Sequence, residues 1–210
     1  MRKIVKQLLR LTDDCREKNI NNSIVIAIDG MCGAGKSTLA QMLHEKLGGN
    51  LFHMDDFFLQ PHQRTAKRLQ EIGGNVDYER FQEEIMKGLA SGQEFVYGVF
   101  DCGKQCIDRQ ITVKPEMINI VEGSYCLHPV FGEWADICIF LDVDAGEQLR
   151  RIRVRNSEKQ AERFVAEWIP KENSYFKEYN IRNKCICFDT TDCRIAFGKG
   201  EQGKQMIGLI

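Results

Sequence analysis

Residues 23–37, SIVIAIDGMCGAGKS, decide the fold of this 210-residue chain. Ser23 to Asp29 is short, apolar and rich in β-branched residues, as expected for a strand buried on both faces. Gly30 to Ser37 then matches the phosphate-binding loop pattern G-x-x-x-x-G-K-S/T, and a helical stretch runs from about Lys36 to Leu47. Because the strand and the helix flank the motif as a P-loop requires, we interpret the stretch as a nucleotide-binding loop rather than a chance match.

The residue types of this loop indicate how it binds a nucleoside triphosphate. Glycines let successive backbone N–H groups turn towards phosphate oxygens, and the start of the following helix adds partial positive charge. We expect Lys36, which has no evident structural partner, to reach the β- and γ-phosphates, and the Ser37 hydroxyl to bind Mg²⁺. The predicted contacts to ATP, or to GTP, come from Gly30, Gly33, Ala34, Gly35, Lys36, Ser37 and Thr38.

Strands and helices alternate along the rest of the chain. Further buried-type strands are predicted at 51–54, 117–121, 137–141 and 185–188. Helices are predicted at 78–90, 145–156 and 163–179, the last one interrupted at Pro170. This alternation favours an α/β P-loop fold with a parallel sheet flanked by helices.

We expect one P-loop domain over residues 1–210. Within it, 1–22 is predicted to form an N-terminal amphipathic helix, because its apolar residues recur three and four apart. Residues 145–165 are predicted to form a helical lid, and 95–100 with 111–113 a small β ribbon. The tail 190–210 receives no role.

Composition and charge narrow the class of function. A net charge of -1 gives no global attraction to nucleic acid or to a membrane, and no stretch approaches the roughly 20 apolar residues of a membrane span. Nine cysteines, an odd number, indicate reduced thiols in a cytoplasmic protein. Neither Cys102 with Cys106 nor Cys185 with Cys187 has the spacing of a zinc knuckle. Homo-oligomerisation stays open.

Two aspartates follow the second predicted strand, in Asp55-Asp56-Phe57-Phe58. Ligands of parallel α/β sheets sit beyond the carboxyl ends of the strands, so a carboxylate here can face the γ-phosphate. It can orient and deprotonate a substrate hydroxyl, or hold Mg²⁺ through water. One of the pair can instead cap a helix, and we favour Asp56 in that role and Asp55 as the functional residue.

Glu122 ends a third apolar strand, in INIVEG at 118–123. This position suits an acidic group that acts on the water shell of Mg²⁺, as in a Walker B strand. The predicted metal-binding residues are therefore Ser37, Asp55 and Glu122. The alternative is that Glu122 only ends a strand.

Four arginines crowd residues 150–155, RRIRVR. On a helix, Arg151 and Arg155 share one face. Arginines on a mobile lid neutralise a migrating phosphoryl group and exclude water, so we expect both to be catalytic, with Arg163 as an addition. The alternative is a solvated basic face. The predicted catalytic set is Lys36, Asp55, Arg151 and Arg155.

A P-loop alone leaves the reaction class open. Asn183-Lys184 resembles the start of the GTPase base-recognition signature, but Ile186 stands where its aspartate is needed, and no ABC-type signature is present. The acidic and basic residues described above favour a kinase of small molecules. An NTPase that drives a conformational change and a nucleotide-binding regulator without turnover are the alternatives.

The ordered combination of P-loop, Asp55, Glu122 and the arginines of 150–155 resembles the uridine kinase and phosphoribulokinase family, over residues 23 to about 190. The resemblance implies a helical lid, a β ribbon for the acceptor, Asp55 as catalytic base and Glu122 as the Mg²⁺-linked glutamate. It also implies that the partners are a nucleoside triphosphate and a small molecule with a hydroxyl group.

The acceptor side departs from that family. Uridine kinases carry a tyrosine and a histidine on the ribbon, whereas residues 99–105 here have Phe100 and Gln105. Asp77 can hold ribose hydroxyls, because a carboxylate accepts two hydrogen bonds from a diol, and Tyr78 and Phe100 can line the same pocket. The alternative is an Asp77 helix N-cap with Tyr78 packed beneath it. Uridine is therefore implied by the resemblance alone, and another riboside or sugar-like acceptor, such as nicotinamide riboside, stays open.

Overall fold

A five-stranded parallel sheet forms the centre of the structure, a computed structural model that describes residues 1–18 and 23–193 and the backbone of 196–199 and 205–208. The strands are β1 Ile24–Gly30, β2 Asn50–His53, β3 Phe95–Asp101, β4 Cys106–Val113, β5 Ile118–Glu122, β6 Ile137–Asp142, β7 Ile186–Asp189, β8 Ala196–Lys199 and β9 Gln205–Gly208. The sheet has the order β2-β5-β1-β6-β7, while β3 with β4 and β8 with β9 form antiparallel pairs. The predicted α/β fold with a parallel sheet is therefore confirmed.

β1 occupies the middle of the sheet, and all seven of its residues are buried. It pairs in parallel with β5 on one side and β6 on the other, so that Ile26 aligns with both Ile120 and Ile137. A central strand meets packed layers on both faces, which is why its sequence is continuously apolar rather than alternating.

Helices cover the sheet and extend beyond its carboxyl edge. They are α1 Arg2–Lys18, α2 Lys36–Leu47, α3 Ala66–Gln70, α4 78–91, α5 Ala145–Arg155 and α6 158–178. Short 3-10 turns occur at Met54–Phe57, Pro61–Gln63, Pro129–Phe131 and Ile181–Lys184. Across the described ranges, none of these helices combines the length and the apolar character that a membrane-spanning segment needs.

α6 runs through Pro170, and the predicted interruption there is wrong. Its first turns, Glu158–Arg163, pass into a π-helical turn at Phe164–Trp168, and α-helix resumes at Ile169–Glu178. Pro170 lacks an N–H group and its ring crowds the carbonyl four residues earlier. The wider π turn just before it lets the helix continue, because the hydrogen-bond pattern changes where proline could not take part in it.

The two ends of the chain were expected to form a helix and a tail. α1 buries Ile4, Val5 and Leu8 in the main core, while 19–22 lie outside the described residues. Residues 145–165, which were predicted to form a lid, comprise α5 and the start of α6. The tail contains β8 and β9, and Thr190 at its start is fully buried, whereas 194–195, 200–204 and 209–210 lie outside the described residues.

Candidate active site

The predicted site residues lie at the carboxyl ends of three neighbouring strands of the sheet. The P-loop follows β1, Asp55 lies in the 3-10 turn after β2, and Glu122 is the last residue of β5. Because β2, β5 and β1 are adjacent and parallel, their carboxyl ends meet there. Lys36, Ser37, Asp55 and Glu122 all line a single cavity of about 540 Å³.

Glycine is required at the start of the P-loop. Gly30 has φ +135°, and a Cβ there would lie 2.2 Å from the carbonyl oxygen of Leu141 in β6. Gly33 and Gly35 also have positive φ, at +76° and +92°. The loop therefore turns tightly against β6 and enters α2 from a left-handed residue.

Side chains from outside the loop hold its carbonyl groups. The Gln148 amide donates to the Cys32 oxygen at 3.0 Å, Arg151 donates to the Gly33 oxygen at 3.2 Å, and the Thr190 hydroxyl donates to the Ala34 oxygen at 2.8 Å. With three successive carbonyls turned outwards, the remaining loop amides can face an anion, while the amides of Cys32 and Ala34 already donate to Glu172 and Met31. Sequence reasoning missed Gln148 and Thr190, because neither lies in a motif.

Lys36 has structural partners, contrary to the sequence-based expectation. Its Nζ donates to the carbonyl oxygens of Gly30 at 2.7 Å and Met31 at 3.2 Å. The ammonium group is therefore held at the start of the loop, and Lys36 lines the cavity.

The P-loop fits a phosphate-bearing nucleotide. Beside the outward-held carbonyls and the Lys36 ammonium group, the Thr38 hydroxyl is buried and makes no hydrogen bond to the described residues. A buried hydroxyl without a partner is costly unless a ligand or water binds it. Ser37, Asp55 and Glu122 supply a hydroxyl and two carboxylates, the oxygen ligands that Mg²⁺ prefers.

Glu122 contacts a histidine that the sequence did not suggest. His53 ends β2 opposite Glu122 in the register, and its Nδ1 lies 2.6 Å from Glu122 Oε1. Burial lowers the pKa of His53, but the hydrogen bond and charge of Glu122, together with the charges of Asp56 and Asp55, outweigh burial, so the net pKa is raised. The signal was present in the sequence, since His53 stands two residues before Asp55.

The Asp55 side chain opens to solvent in the cavity, although protein surrounds it. This partial desolvation, together with the negative charge of Glu122, raises the pKa of Asp55, while Lys36 and His53 act in the opposite direction. A raised pKa brings a carboxylate closer to the range in which it can accept a proton and release it again. We therefore retain Asp55 as the predicted catalytic base.

Asp56 is buried and faces away from this cavity. The Tyr97 hydroxyl donates to its carboxylate at 3.4 Å. Both aspartates lie inside the turn Met54–Phe57, whose N-cap residue is His53. The favoured capping role of Asp56 is therefore wrong, and Asp55 rather than Asp56 lines the cavity.

Arg151 lies in the protein interior, with only 1% of its surface exposed. Its Nε donates to Glu147 at 2.7 Å, and its terminal nitrogens donate to five oxygens: Gly33 O, Thr190 Oγ1, Thr190 O, Thr191 O and Cys193 O. The expectation that Arg151 contacts a migrating phosphoryl group is therefore corrected, because protein oxygens take its donors. It joins the P-loop to the start of the tail.

Replacing Arg151 by methionine is expected to destabilise the protein by about 3–5 kcal/mol, because removing one partner leaves buried polar groups uncompensated. The matched control is Arg150→Met, since Arg150 is exposed and pairs with the same Glu147. An exposed pair contributes at most about 1 kcal/mol. Thermal and urea unfolding would compare the two. A normal melting temperature with lost activity in Arg151→Met would restore the catalytic interpretation.

Arg155 and Arg163 do line the cavity. Arg155 lies one helical turn beyond Arg151 on α5, and its guanidinium stands 5.6 Å from the centre of the Phe164 ring. Arg163 on α6 pairs with exposed Glu167 at 3.2 Å. Arg151 differs from Arg155 because α5 packs against the P-loop and the start of the tail at Arg151, while Arg155 ends the helix at the cavity. Arg155 stays a predicted catalytic residue.

Asp77 is a helix N-cap, and its expected contact with ribose hydroxyls is corrected. Its Oδ1 accepts the Arg80 N–H at 3.1 Å, and its Oδ2 accepts the Gln63 amide at 2.9 Å. The side chain is buried and does not line the cavity. The alternative of capping at the start of α4 is therefore what the structure has.

Tyr78 and Phe100 also lie behind the cavity wall. The Tyr78 hydroxyl donates to the Ile72 oxygen at 3.0 Å, and its ring stacks on His128 at 4.7 Å. Phe100 is buried with its ring edge-on to Phe58. Their expected place at the acceptor is corrected. The cavity is further lined by Phe58, Asn75, Val76, Cys102, Ser124, Tyr125, Phe164, Trp168 and Glu172, of which Glu172 also contacts the P-loop.

Asp29, the residue before the loop, is fully buried. Its carboxylate accepts hydrogen bonds from the Gly30 N–H at 2.7 Å, the Tyr175 hydroxyl at 2.7 Å and the Leu127 N–H at 3.3 Å. Burial raises the pKa of Asp29 to about 6, against the lowering effect of the Lys36 charge. An acid at the end of the apolar run 23–29 was the available signal, and sequence reasoning did not use it.

Known proteins resemble the chain in sequence and in fold. It is 28% identical to the uridine kinase of Chlamydia pneumoniae over 149 residues, and 29% identical to that of Alkaliphilus metalliredigens over 144 residues. These matches cover 66% and 64% of this chain and 66% and 69% of the relatives, so the chain spans about two thirds of the relatives' lengths. No protein-family model matches it.

Solved structures share the fold at lower identity. A possible uridine kinase from Bacillus stearothermophilus superposes with a TM-score of 0.62 at 17% identity, over 87% of this chain and 100% of that one. The D-glycerate 3-kinase of Cryptococcus neoformans gives a TM-score of 0.60 at 16% identity, over 80% and 87%. At such identities the likeness establishes the fold and leaves the substrate open.

Proposed function

We propose that this chain transfers the γ-phosphate of a nucleoside triphosphate to a hydroxyl of a small metabolite. Its relatives confirm its resemblance to the uridine kinase and phosphoribulokinase-like P-loop kinases. The observation that carries the proposal is the shared cavity, in which Lys36 from the P-loop faces Asp55 and Glu122 from the neighbouring strand ends. P-loop switches also carry one acid near Mg²⁺, so it is the second acid, Asp55, that favours transfer to an acceptor hydroxyl.

The charged residues Lys36, Asp55, Glu122 and Arg155 and the Ser37 hydroxyl have roles in this reaction. Asp55 orients the acceptor hydroxyl and takes its proton as the oxygen bonds to the γ-phosphorus and the bond to the leaving diphosphate breaks. Lys36 and Arg155 stabilise the charge that spreads over the transferred group. Ser37, Asp55 and Glu122 would hold Mg²⁺, which would neutralise phosphate charge.

His53 orients Glu122. The short contact between the two fixes the carboxylate on one side, as outer hydrogen bonds commonly do for metal-binding groups. Thr38, whose hydroxyl makes no hydrogen bond to any residue that the structure describes, is a further phosphate contact in this proposal.

The acceptor is a uridine-like riboside in our proposal, supported by the names of the relatives. The corrected acceptor wall offers the rings of Phe58, Tyr125 and Trp168 and the amide of Asn75. Flat rings stack on aromatic side chains with little discrimination, and sharp selection needs buried polar groups that the wrong substrate leaves unpaired. We therefore propose that uridine is one of several ribosides accepted, nicotinamide riboside included.

A nucleotide-consumption screen tests the proposal. ATP and GTP are each offered with nucleosides, other ribosides, vitamins and sugar acids, and product formation is followed by mass spectrometry. We expect consumption to stay slow until a riboside is added, and then a product heavier by one phosphate. Phosphate release that is independent of every acceptor would instead support an NTPase. A strong and exclusive preference for uridine would show that base recognition comes from other residues.

A further inference from the structure

Glu172 on α6 is a buried acid that the proposed reaction does not use. Only 5% of its surface is exposed, and it forms no ion pair within the described part of the chain. Its Oε2 accepts the backbone N–H of Cys32 at 2.8 Å, and its Oε1 accepts the Ser124 hydroxyl at 2.6 Å. Burying a carboxylate without a cation is costly, so its hydrogen bonds must compensate.

The two donors belong to different parts of the site. Cys32 lies in the P-loop, and Ser124 follows Gly123 directly after the predicted metal-binding Glu122. Glu172 therefore connects the P-loop with the residues that directly follow β5. Since Gln148 holds the carbonyl of Cys32, the α5 and α6 helices together fix that residue from both sides.

A second contact fastens the same helix to the base of the P-loop. Tyr175, three residues further along α6, donates its hydroxyl to Asp29 at 2.7 Å. The helix also carries Gln160, Phe164 and Trp168 into the cavity wall. Any tilt of α6 therefore moves the acceptor wall relative to the loop, unless these contacts hold it.

We propose that Glu172 is a positioning residue. Through its hydrogen bonds with Cys32 and Ser124, it holds the part of the acceptor wall that α6 carries at a fixed position relative to the P-loop. The inference rests on the proposed function. Transfer depends on the distance between the acceptor oxygen and the γ-phosphorus, and a misplacement of about 1 Å can cost about 10²-fold in rate. Glu172 acts through the geometry of its hydrogen bonds, and its negative charge is not required.

The chain allows a test that separates geometry from charge. In Glu172→Gln the amide oxygen can accept the Cys32 N–H and the amide nitrogen can donate to the Ser124 oxygen, so both contacts survive without the charge. Glu172→Ala removes both contacts. The control is Glu178→Ala, an exposed acid on the same helix. We expect kcat to fall by about 10–10²-fold in Glu172→Ala, and to stay within about threefold of wild type in the other two.

Hydrogen exchange gives a readout that needs no turnover. Exchange of the amides in a peptide covering 24–43, measured without nucleotide, is expected to quicken in Glu172→Ala and to stay protected in Glu172→Gln. If Glu172→Ala does not fold, Glu172→Asp takes its place, because the shorter side chain cannot reach both donors.

The kinetic and exchange measurements have outcomes that would contradict the role proposed for Glu172. Equal loss in the glutamine and alanine variants would show that the charge is required, and normal kcat and exchange in Glu172→Ala would show that the contacts do not matter. Either result overturns the inference. If wild-type protein phosphorylates no acceptor, the proposed function fails by itself, and the exchange measurement still decides whether Glu172 fixes the loop.

Discussion

Asp55→Asn is expected to lower kcat by about 10²–10⁴-fold, far more than it weakens nucleotide binding, because the amide keeps the shape of the side chain but cannot take a proton. Steady-state kinetics with the best acceptor from the screen, together with equilibrium binding of a non-hydrolysable ATP analogue, would measure both quantities. The matched control is Asp56→Asn, since Asp56 is adjacent, buried and directed towards Tyr97.

The control also tests the choice between the two aspartates. Asp56→Asn keeps an oxygen that can accept the Tyr97 hydroxyl, so we expect near-normal kcat. If Asp56→Asn is the crippling change and Asp55→Asn is mild, the pair has been assigned in the wrong order.

A pH titration supplies a further check on Asp55. A base works only when deprotonated, and partial desolvation with the Glu122 charge raises its pKa above the ordinary 3.8. The deprotonated fraction is therefore lost, as pH falls, at a higher pH than for an ordinary aspartate. We expect an NMR titration of the protein without Mg²⁺ and nucleotide to show a carboxyl pKa above 3.8 for Asp55, and this titration to be absent in Asp55→Asn.

Lys36→Met is expected to lower kcat/KM by about 10²–10³-fold, as the loss of one preorganised donor to the developing charge does elsewhere. Methionine keeps most of the aliphatic length without the ammonium group. Because Lys36 also binds the carbonyls of Gly30 and Met31, a loss of about 1–3 kcal/mol in unfolding free energy should accompany the change.

Activity must therefore be measured at a temperature at which the variant is folded, as judged by circular dichroism. Arg150→Met serves as the control, since it removes a cation from the exposed surface. Turnover like that of wild type in Lys36→Met would contradict the assignment of the P-loop as the phosphate site.

The P-loop and the acids at the strand ends could be predicted from sequence, because residues close together in the chain specify them. Gly30, Gly33, Gly35 and Lys36 act within one turn of chain, and the buried strand and helix around them are local patterns as well. Asp55 and Glu122 were found for a similar reason, since each follows an apolar strand. Parallel strands then bring their carboxyl ends together in almost any arrangement of the sheet.

The long-range half depended on the tertiary structure. A helical period places Arg151 and Arg155 on one face, but only the packing of α5 against the P-loop and the start of the tail buries one and leaves the other at the cavity. Asp77 has the same chemistry as a diol-binding acid and as an N-cap; its Oδ1 caps α4 through the Arg80 N–H, and the Gln63 amide from the preceding loop takes its Oδ2.

The sequence by itself determined the P-loop, the parallel sheet and the acids at its edge, because these follow from residues close together in the chain and from the connectivity of parallel strands. The tertiary structure alone decided which side chains face the cavity, which hold the loop from behind, and that Glu172 joins α6 to both Cys32 and Ser124. Those contacts join residues 48 to 140 positions apart, and no local pattern encodes which of many buried polar groups will meet.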